Sequence, residues 1–171
     1  MNIRGVVNGL LAVYPKMVEQ RHGHIVNTAP GVGLAPPPFV TAYAMTKHAV
    51  VGLSCGLRVE AAFYGVRVSG LCPGSIETPI LDRLPDADLP HTASTPVTAL
   101  EYLAAIKQRP VPAHQFARRA LQQAARNQAV IVEPSSARLL WYLQRWSPRL
   151  VEYACGRIAR RVQRDLVRPG V

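Results

Sequence analysis

Apolar residues recur every three or four positions near the start of the chain, and this period predicts an amphipathic helix over residues 2–20. Its apolar face consists of Ile3, Val6, Val7, Leu10, Leu11, Tyr14 and Met17. Arg21-His22-Gly23 follows, and basic residues before a glycine are typical of a helix end. Ile25 and Val26 then indicate a buried strand, within the strand-like segment His24-Ile-Val-Asn-Thr28.

The next segments predict a loop, a long helix, a second strand and another loop. Proline lacks a backbone donor and disfavours helix in the residue before it, so Ala35-Pro36-Pro37-Pro38 predicts a stiff loop. A helix is expected over 41–64, followed by a strand over 66–71 whose apolar run indicates burial on both faces. Residues 82–96 are rich in Pro, Asp, His, Ser and Thr, which is typical of a mobile loop.

The second half of the chain predicts mainly helix. One strand is expected over 129–132, and helices are expected over 97–107, 113–127, 136–144 and 148–166. The last two helices are separated by Trp146-Ser147-Pro148.

The segment Tyr43-Ala-Met-Thr-Lys47 lies on the predicted long helix and carries the most informative chemistry. A spacing of four places the phenol and the ammonium on one helix face, about 5–6 Å apart at Cβ. The pKa of a tyrosine in water is about 10. A fixed neighbouring cation favours the phenolate and lowers that pKa. Tyr43 is therefore a candidate proton donor and acceptor, and Lys47 is the cation that would lower its pKa.

The order and separation of four segments resemble the short-chain dehydrogenase/reductase family. The segments are Met1-Asn2-Ile3-Arg4-Gly5, Gly23-His-Ile-Val-Asn-Thr28, Tyr43-Ala-Met-Thr-Lys47 and Pro73-Gly74-Ser-Ile-Glu-Thr78. The resemblance implies an α/β fold with a partial Rossmann-like doubly wound parallel sheet of about three strands, flanking helices and a helical C-terminal tail. Residues 1–133 then correspond to the C-terminal half of the Rossmann-like domain, and residues 134–171 to a basic amphipathic tail.

The same resemblance implies NAD or NADP as the cofactor, and a small-molecule alcohol or carbonyl compound as the substrate. By motif match, Tyr43 protonates or deprotonates the substrate oxygen, and Lys47 holds the nicotinamide ribose and lowers the pKa of the tyrosine. Asn2 matches a residue whose backbone carbonyl holds a water for proton relay; its alternative role is a helix N-cap.

The fourth matched segment follows the second predicted strand. Its positions that correspond to cofactor contacts in the family are Pro73, Gly74, Ile76 and Thr78. The alternative interpretation is an ordinary strand-ending turn. In relatives, the loop that corresponds to 82–96 covers the substrate, so this loop is either a lid or a plain surface loop.

Two features depart from the family's pattern. The family's Ser, thirteen residues before the Tyr, donates a hydrogen bond to the substrate carbonyl; Pro30 stands there and has no side-chain donor. Thr28 carries a nearby hydroxyl, two positions out of register. The Gly-rich turn that binds pyrophosphate after a first strand is missing. The chain therefore matches the fold from its midpoint onward, and a start site assigned inside a longer reading frame would explain this.

Two observations predict self-association. The first predicted strand would lie at a sheet edge, where unpaired N–H and C=O groups invite another chain. In the family, the helix that corresponds to 41–64 commonly forms an intersubunit bundle with the first helix. The resemblance therefore implies a homo-oligomer.

The net charge of +10 is concentrated in the tail. From residue 138 onward, only Glu152 and Asp165 oppose the basic residues Arg138, Arg145, Arg149, Arg157, Arg160, Arg161, Arg164 and Arg168. A basic amphipathic helix can lie peripherally on an anionic membrane; the same stripe could cap the substrate pocket or dock on a missing half. Nucleic-acid binding is not expected, because no stacking platform, finger spacing or helix-turn-helix accompanies the charge.

The spacing of the cysteine and histidine residues argues against a disulfide-rich or a metal-binding protein. Cys55, Cys72 and Cys155 are odd in number and contain no C-x-x-C pair, so neither a disulfide scaffold nor a metal site is expected. A reducing, cytoplasmic compartment fits this usage. No apolar stretch reaches the roughly eighteen residues of a spanning helix.

Two function classes follow from these observations. The first is an NAD(P)-dependent oxidoreductase with Tyr43 and Lys47 at its centre. The second is a catalytically inactive relative that acts as an interaction or structural module. Pro30 and the missing Gly-rich turn favour the second class for the chain as given.

Overall fold

A computed structural model describes residues 2–35, 37–82, 98–105 and 107–166. Its helices and strands are α1 (Arg4–Gln20), β1 (Gly23–Thr28), α2 (Thr41–Ala62), β2 (Val66–Pro73), β3 (Ile76–Glu77), α3 (Ala99–Ala105), β4 (Val111–Pro112), α4 (Ala113–Ala125), β5 (Val130–Glu133), α5 (Ser135–Trp146) and α6 (Pro148–Leu166). Short 3-10 turns cover Gly31–Gly33 and Pro79–Asp82. The predicted loop over 82–96 lies outside the described residues, apart from Asp82.

Strands β1, β2 and β5 form a parallel sheet in that order. In its register, Ile25 lies opposite Val68 and Gly70 lies opposite Val130. The predicted α/β class with about three parallel strands is therefore confirmed, and β1 lies at an edge of the described sheet as expected. A second parallel pair, β3 with β4, was not predicted, because two-residue strands are too short to show a hydrophobic period.

The main core lies between one face of the sheet and the helices α1 and α2. Its buried residues are Ile25, Ala61, Val66 and Val68, and the partly buried residues around them are Leu10, Tyr14, Met17 and Leu57. Successive strand side chains point to opposite faces, and Val26 on the other face of β1 remains 42% exposed. The prediction that β1 is a buried strand is therefore wrong for that face.

Arg58 of α2 ties the middle of the sheet to the segment before β5. Its Nη1 donates to the Val68 carbonyl at 2.6 Å and to Asn127 Oδ1 at 2.9 Å, and its Nη2 donates to the Asn127 carbonyl at 2.7 Å. Asn127 has φ 55°, a left-handed conformation that asparagine tolerates better than most residues. The guanidinium thus donates to one backbone carbonyl of β2 and to the backbone and side-chain carbonyls of Asn127 in the turn after α4.

The tail helices are joined to the sheet at the end of β5. Glu133 is buried, and its Oε1 accepts hydrogen bonds from Arg138 of α5 at 2.6 Å and from Gln123 of α4 at 2.5 Å. Helix α6 packs against α5 and α3 and buries Val151 and Val162. The tail is thus in contact with the rest of the fold.

Candidate active site

Tyr43 and Lys47 occupy the first two turns of α2, one turn apart. The Lys47 Nζ lies 5.2 Å from the centroid of the Tyr43 ring, which places the two groups on the same side of the helix as their spacing predicts. The backbone between them is held by Thr46, whose Oγ1 donates to the Tyr43 carbonyl at 2.7 Å. The geometry therefore brings the predicted proton-transfer pair together.

The environment of Lys47 is partly desolvated. Burial lowers the pKa of its ammonium below the ordinary 10.5, because removal from water penalises the charged form. A cation near an aromatic ring is attracted by the negative face of the ring. Lys47 is therefore placed where its charge acts on Tyr43 with less solvent screening than at an open surface.

The Gly31–Gly33 turn lies between α2 and the carboxyl end of β2. A Cβ on Gly33 would lie 2.7 Å from the Lys47 carbonyl oxygen, so only glycine allows this approach to the helix. A Cβ on Gly31 would lie 3.4 Å from the Pro73 carbonyl oxygen, in ordinary contact. The turn therefore places Lys47 and the Pro73-Gly74 corner on its two sides, at the carboxyl edge of the sheet where ligands of open α/β folds bind.

One side of the Pro73-Gly74 corner packs against the start of α5. Pro73 ends β2, and the Gly74 N–H donates to the Glu133 carbonyl at 2.7 Å. A Cβ on Gly74 would come within 3.0 Å of both Pro134 Cδ and Ala137 Cβ. The close approach that Gly74 permits is thus to the start of α5, whereas the sequence predicted an approach to a ligand.

The remaining matched positions of this segment follow the corner. Ile76 is buried in β3, and its carbonyl accepts a hydrogen bond from Thr78 Oγ1 at 3.3 Å. Thr78 is half-buried, and its hydroxyl oxygen can still accept a hydrogen bond.

Three other sequence-predicted positions are less closely connected with the pair. Pro30 follows β1 directly, and its carbonyl accepts from the Gly33 N–H at 2.7 Å, so it shapes the turn and contributes no side-chain donor. Thr28 ends β1 with an exposed side chain. Asn2 lies in the turn before α1, where Ile3 occupies the N-cap position without a side-chain hydrogen bond. Asn2 therefore stands at the start of the helix, one residue before the N-cap position.

A cluster of polar side chains next to the Pro73-Gly74 corner was not predicted from the sequence. It consists of Glu133, Arg138 and Gln123. These residues belong to three different elements, so no short-range motif connects them. A glutamate at the end of an apolar strand is the one sequence signal that points to a buried, paired carboxylate.

His24 is also partly buried and bonded. Its Nε2 lies 2.9 Å from Ser69 Oγ, which donates to the Gln128 carbonyl at 2.6 Å. Burial first, and then the charges of Arg67 and Arg58, lower the pKa of His24. Within the described ranges, no group of three or more His, Cys, Asp and Glu side chains could hold a metal ion.

Comparison with known proteins decides the family. A sequence profile described as short chain dehydrogenase matches residues 1–88. The chain belongs to this family. Among its relatives, the oxidoreductase UcpA of Escherichia coli K12 is 38% identical over 101 residues, a match that covers 58% of this chain and 38% of UcpA. The chain thus matches less than two-fifths of the length of this short-chain dehydrogenase relative.

Solved structures of the family share the fold. A short-chain dehydrogenase/reductase from Burkholderia phymatum, in complex with NAD, is 28% identical with a TM-score of 0.69, covering 87% of this chain and 56% of its own. A short-chain dehydrogenase from Sphingobium yanoikuyae, in complex with NADPH, is 25% identical with a TM-score of 0.62, covering 92% and 53%. These likenesses confirm the Rossmann-like architecture of the present short-chain dehydrogenase chain. Among the described helices, none is long and apolar enough to cross a membrane.

Proposed function

We propose that this chain carries the acid–base half of an NAD(P)-dependent oxidoreductase site that acts on an alcohol or carbonyl group. The observation that carries the proposal is the 5.2 Å approach of the Lys47 ammonium to the Tyr43 ring, beside the turn that meets the Pro73-Gly74 corner. Membership of the short-chain dehydrogenase family supports the reaction class.

In this proposal, Tyr43 moves the proton at the substrate oxygen. As a phenolate its Oη takes the hydroxyl proton of an alcohol, and as a phenol it returns a proton to a carbonyl oxygen. Lys47 stabilises the phenolate through its charge, and Asn2 contributes the relay of that proton to solvent. A bound nicotinamide would supply the hydride acceptor or donor.

The residues present fit one end of such a cofactor. The partly buried ammonium of Lys47 and the hydroxyl of Tyr43 are hydrogen-bonding groups suited to the hydroxyls of a ribose. Pro73, Gly74 and Ile76 are proposed to lie beside the nicotinamide, and Thr78, with its Oγ1 as the polar atom, beside the pyrophosphate. The pyrophosphate end has no Gly-rich turn in the sequence, so tight binding needs contacts beyond these residues.

A specific observation favours a second function, that of an inactive family member. Pro30 stands where a hydrogen-bond donor to the substrate oxygen is expected, and its carbonyl serves the turn at Gly33. Losing one such donor costs about 10²–10³ in rate. In this alternative the same fold acts as an interaction module.

Cofactor titration separates the two functions. Intrinsic tryptophan fluorescence of the full chain is followed while NADH or NADPH is added to millimolar concentration. The oxidoreductase site predicts saturable quenching that Lys47→Met weakens and that Lys16→Met, at an exposed position of α1, leaves unchanged. The absence of quenching with either cofactor would support the inactive module. If cofactor binds, Tyr43→Phe should abolish turnover while leaving most of the binding.

We further propose that the chain assembles with copies of itself through the outer face of α2. This face consists of exposed residues at helical spacing, namely Met45, His48, Gly52, Cys55 and Val59, and the exposed Phe63, directly after α2, continues it. Phe63 is 78% exposed, and a Cβ on Gly52 would meet nothing within 4 Å. An apolar helix face with glycine at its centre suits close packing against another helix.

Multi-angle light scattering tests this assembly. Phe63→Asp should lower the average mass, whereas Leu121→Asp, at a similarly exposed apolar position of α4, should not. A monomer for the unmodified chain at all concentrations would contradict the proposed assembly.

A further inference from the structure

One face of α6 changes from apolar to cationic along the helix axis. Residues on this face follow each other at intervals of three and four, which places them in one row. From the start of the helix to its end they are Leu150, Tyr153, Arg157, Arg160 and Arg164, and all are exposed. Tyr153 and the three arginines line the same surface groove.

Helix α5 carries an exposed apolar row of its own, which ends at the junction with α6. Leu139, Tyr142 and Trp146 are spaced by three and four residues and point away from the protein. Trp146 is 88% exposed and is the last residue of α5. Only Ser147 separates α5 from α6, and the exposed side chains of Trp146 and Leu150 flank this junction as an apolar corner, about two helical turns before Arg157.

Among the described residues, no acidic side chain forms an ion pair with Arg157, Arg160 or Arg164. Two ion pairs between described side chains join Glu133 to Arg119 and to Arg138. On α6, the sequence places only Glu152 and Asp165 against its basic residues. Because these three arginines are exposed, their guanidinium groups can contact an external anion.

We propose that the Trp146 corner and the arginine row of α6 bind the surface of an anionic lipid bilayer. Tryptophan and tyrosine favour the boundary between headgroups and acyl chains, and arginines attract anionic headgroups. The apolar corner would enter that boundary while Arg157, Arg160 and Arg164 contact phosphates. This contact is peripheral, in keeping with the lack of a membrane-spanning helix among the described residues.

The chemistry of the surface favours lipid over two other partners. Nucleic acid would satisfy the arginines, but it would leave the aliphatic side chains of Leu139 and Leu150 without an apolar partner. A second copy of this face would bring two rows of arginines together, which costs Coulomb energy. A bilayer supplies both an apolar layer and negative charge.

Vesicle flotation of the full chain tests the proposal. The protein should float with vesicles of phosphatidylserine and phosphatidylcholine, and not with phosphatidylcholine alone. Arg157→Gln, Arg160→Gln and Arg164→Gln together should reduce partitioning on the order of a hundredfold, since each arginine contributes about a factor of five. The matched triple variant Arg109→Gln, Arg118→Gln and Arg126→Gln, at exposed positions elsewhere, should reduce it far less.

Fluorescence provides an independent measurement of the apolar contact. Trp146 emission should shift to shorter wavelength when anionic vesicles are added, and the shift should disappear in Trp146→Ser. Circular dichroism establishes that each variant is folded.

Four results would overturn the proposal. Three of them are equal partitioning to both vesicle types, equal loss in both triple variants, and binding to an oligonucleotide without binding to vesicles. The fourth is a fall in oligomer mass for Trp146→Ser when the unmodified chain does not bind vesicles, which would assign the surface to a second copy.

Discussion

The Lys47 ammonium lies 5.2 Å from the centroid of the Tyr43 ring, and the backbone of the same lysine is in close contact with Gly33. The first contact is local, because it follows from a spacing of four on one helix. The second contact joins α2 to the turn after β1. Together they fix where the lysine charge stands relative to the phenol.

The burial of Lys47 predicts a pH-dependent contribution to stability. The pKa of Lys47 in the folded chain is below the 10.5 of an exposed lysine. At a pH between the folded-state pKa and 10.5, the unfolded chain therefore binds more protons than the folded chain. Stability should therefore rise with pH across this window, because the penalty for the buried charge disappears. Urea unfolding of Lys47→Met between pH 7 and 10.5 should lack this rise, whereas Lys16→Met should retain it. Identical slopes for Lys47→Met and the unmodified chain would contradict the prediction.

The sequence predicted the Tyr43–Lys47 pair but not the turn that supports it. Local spacing determines which helix face a residue occupies, so a single segment suffices for the pair. The approach of Gly33 to Lys47, and that of Gly74 to Ala137, join segments far apart in sequence. Such contacts depend on how the elements pack, which a periodicity does not contain.

Gly33→Ala should disturb this packing. Its Cβ would lie 2.7 Å from the Lys47 carbonyl oxygen, a backbone atom that cannot move without shifting α2. We expect a loss of about 1–3 kcal/mol in the free energy of unfolding, as for other overpacked interiors. Gly9→Ala is the control, because its Cβ meets nothing within 4 Å. In a helix interior that change should stabilise by about 0.5–1 kcal/mol. Equal effects in urea unfolding would show that the turn is not tightly fitted.

The predicted burial is correct for most of β2 but wrong for one face of β1. Apolar residues indicate that a strand is buried, and β2 is buried along most of its length. They do not indicate whether a neighbouring layer covers both faces, and Val26 of β1 has no such cover. An edge position and an open face are properties of the assembled sheet.

Arg58→Lys should destabilise the connection between α2 and β5. The guanidinium makes three hydrogen bonds to Val68 and Asn127, a fork that a single ammonium cannot reproduce. We expect a loss of about 2 kcal/mol, in the range for hydrogen bonds to charged groups. Arg67→Lys, at an exposed position of β2, should cost much less. The midpoint of urea unfolding should fall with little change in its slope, and equal midpoints for the two variants would contradict the role of Arg58.

The three cysteines should react with a thiol reagent at very different rates. Cys72 is buried, and burial raises its pKa from 9.0 to about 12, so its thiolate fraction at pH 8 falls by about a thousandfold. Burial also raises the pKa of Cys155, which should react slowly. Cys55 is exposed on the outer face of α2 and should react first in dilute protein.

The labelling rate of Cys55 should also depend on protein concentration, because the proposed assembly would cover this residue. Mass spectrometry of labelled peptides should show Cys55 protection that increases with concentration and that Phe63→Asp removes. Leu121→Asp should leave the protection in place, since α4 lies outside the proposed contact. Rapid labelling of Cys72 in the folded chain would contradict its burial, and concentration-independent labelling of Cys55 would argue against association through α2.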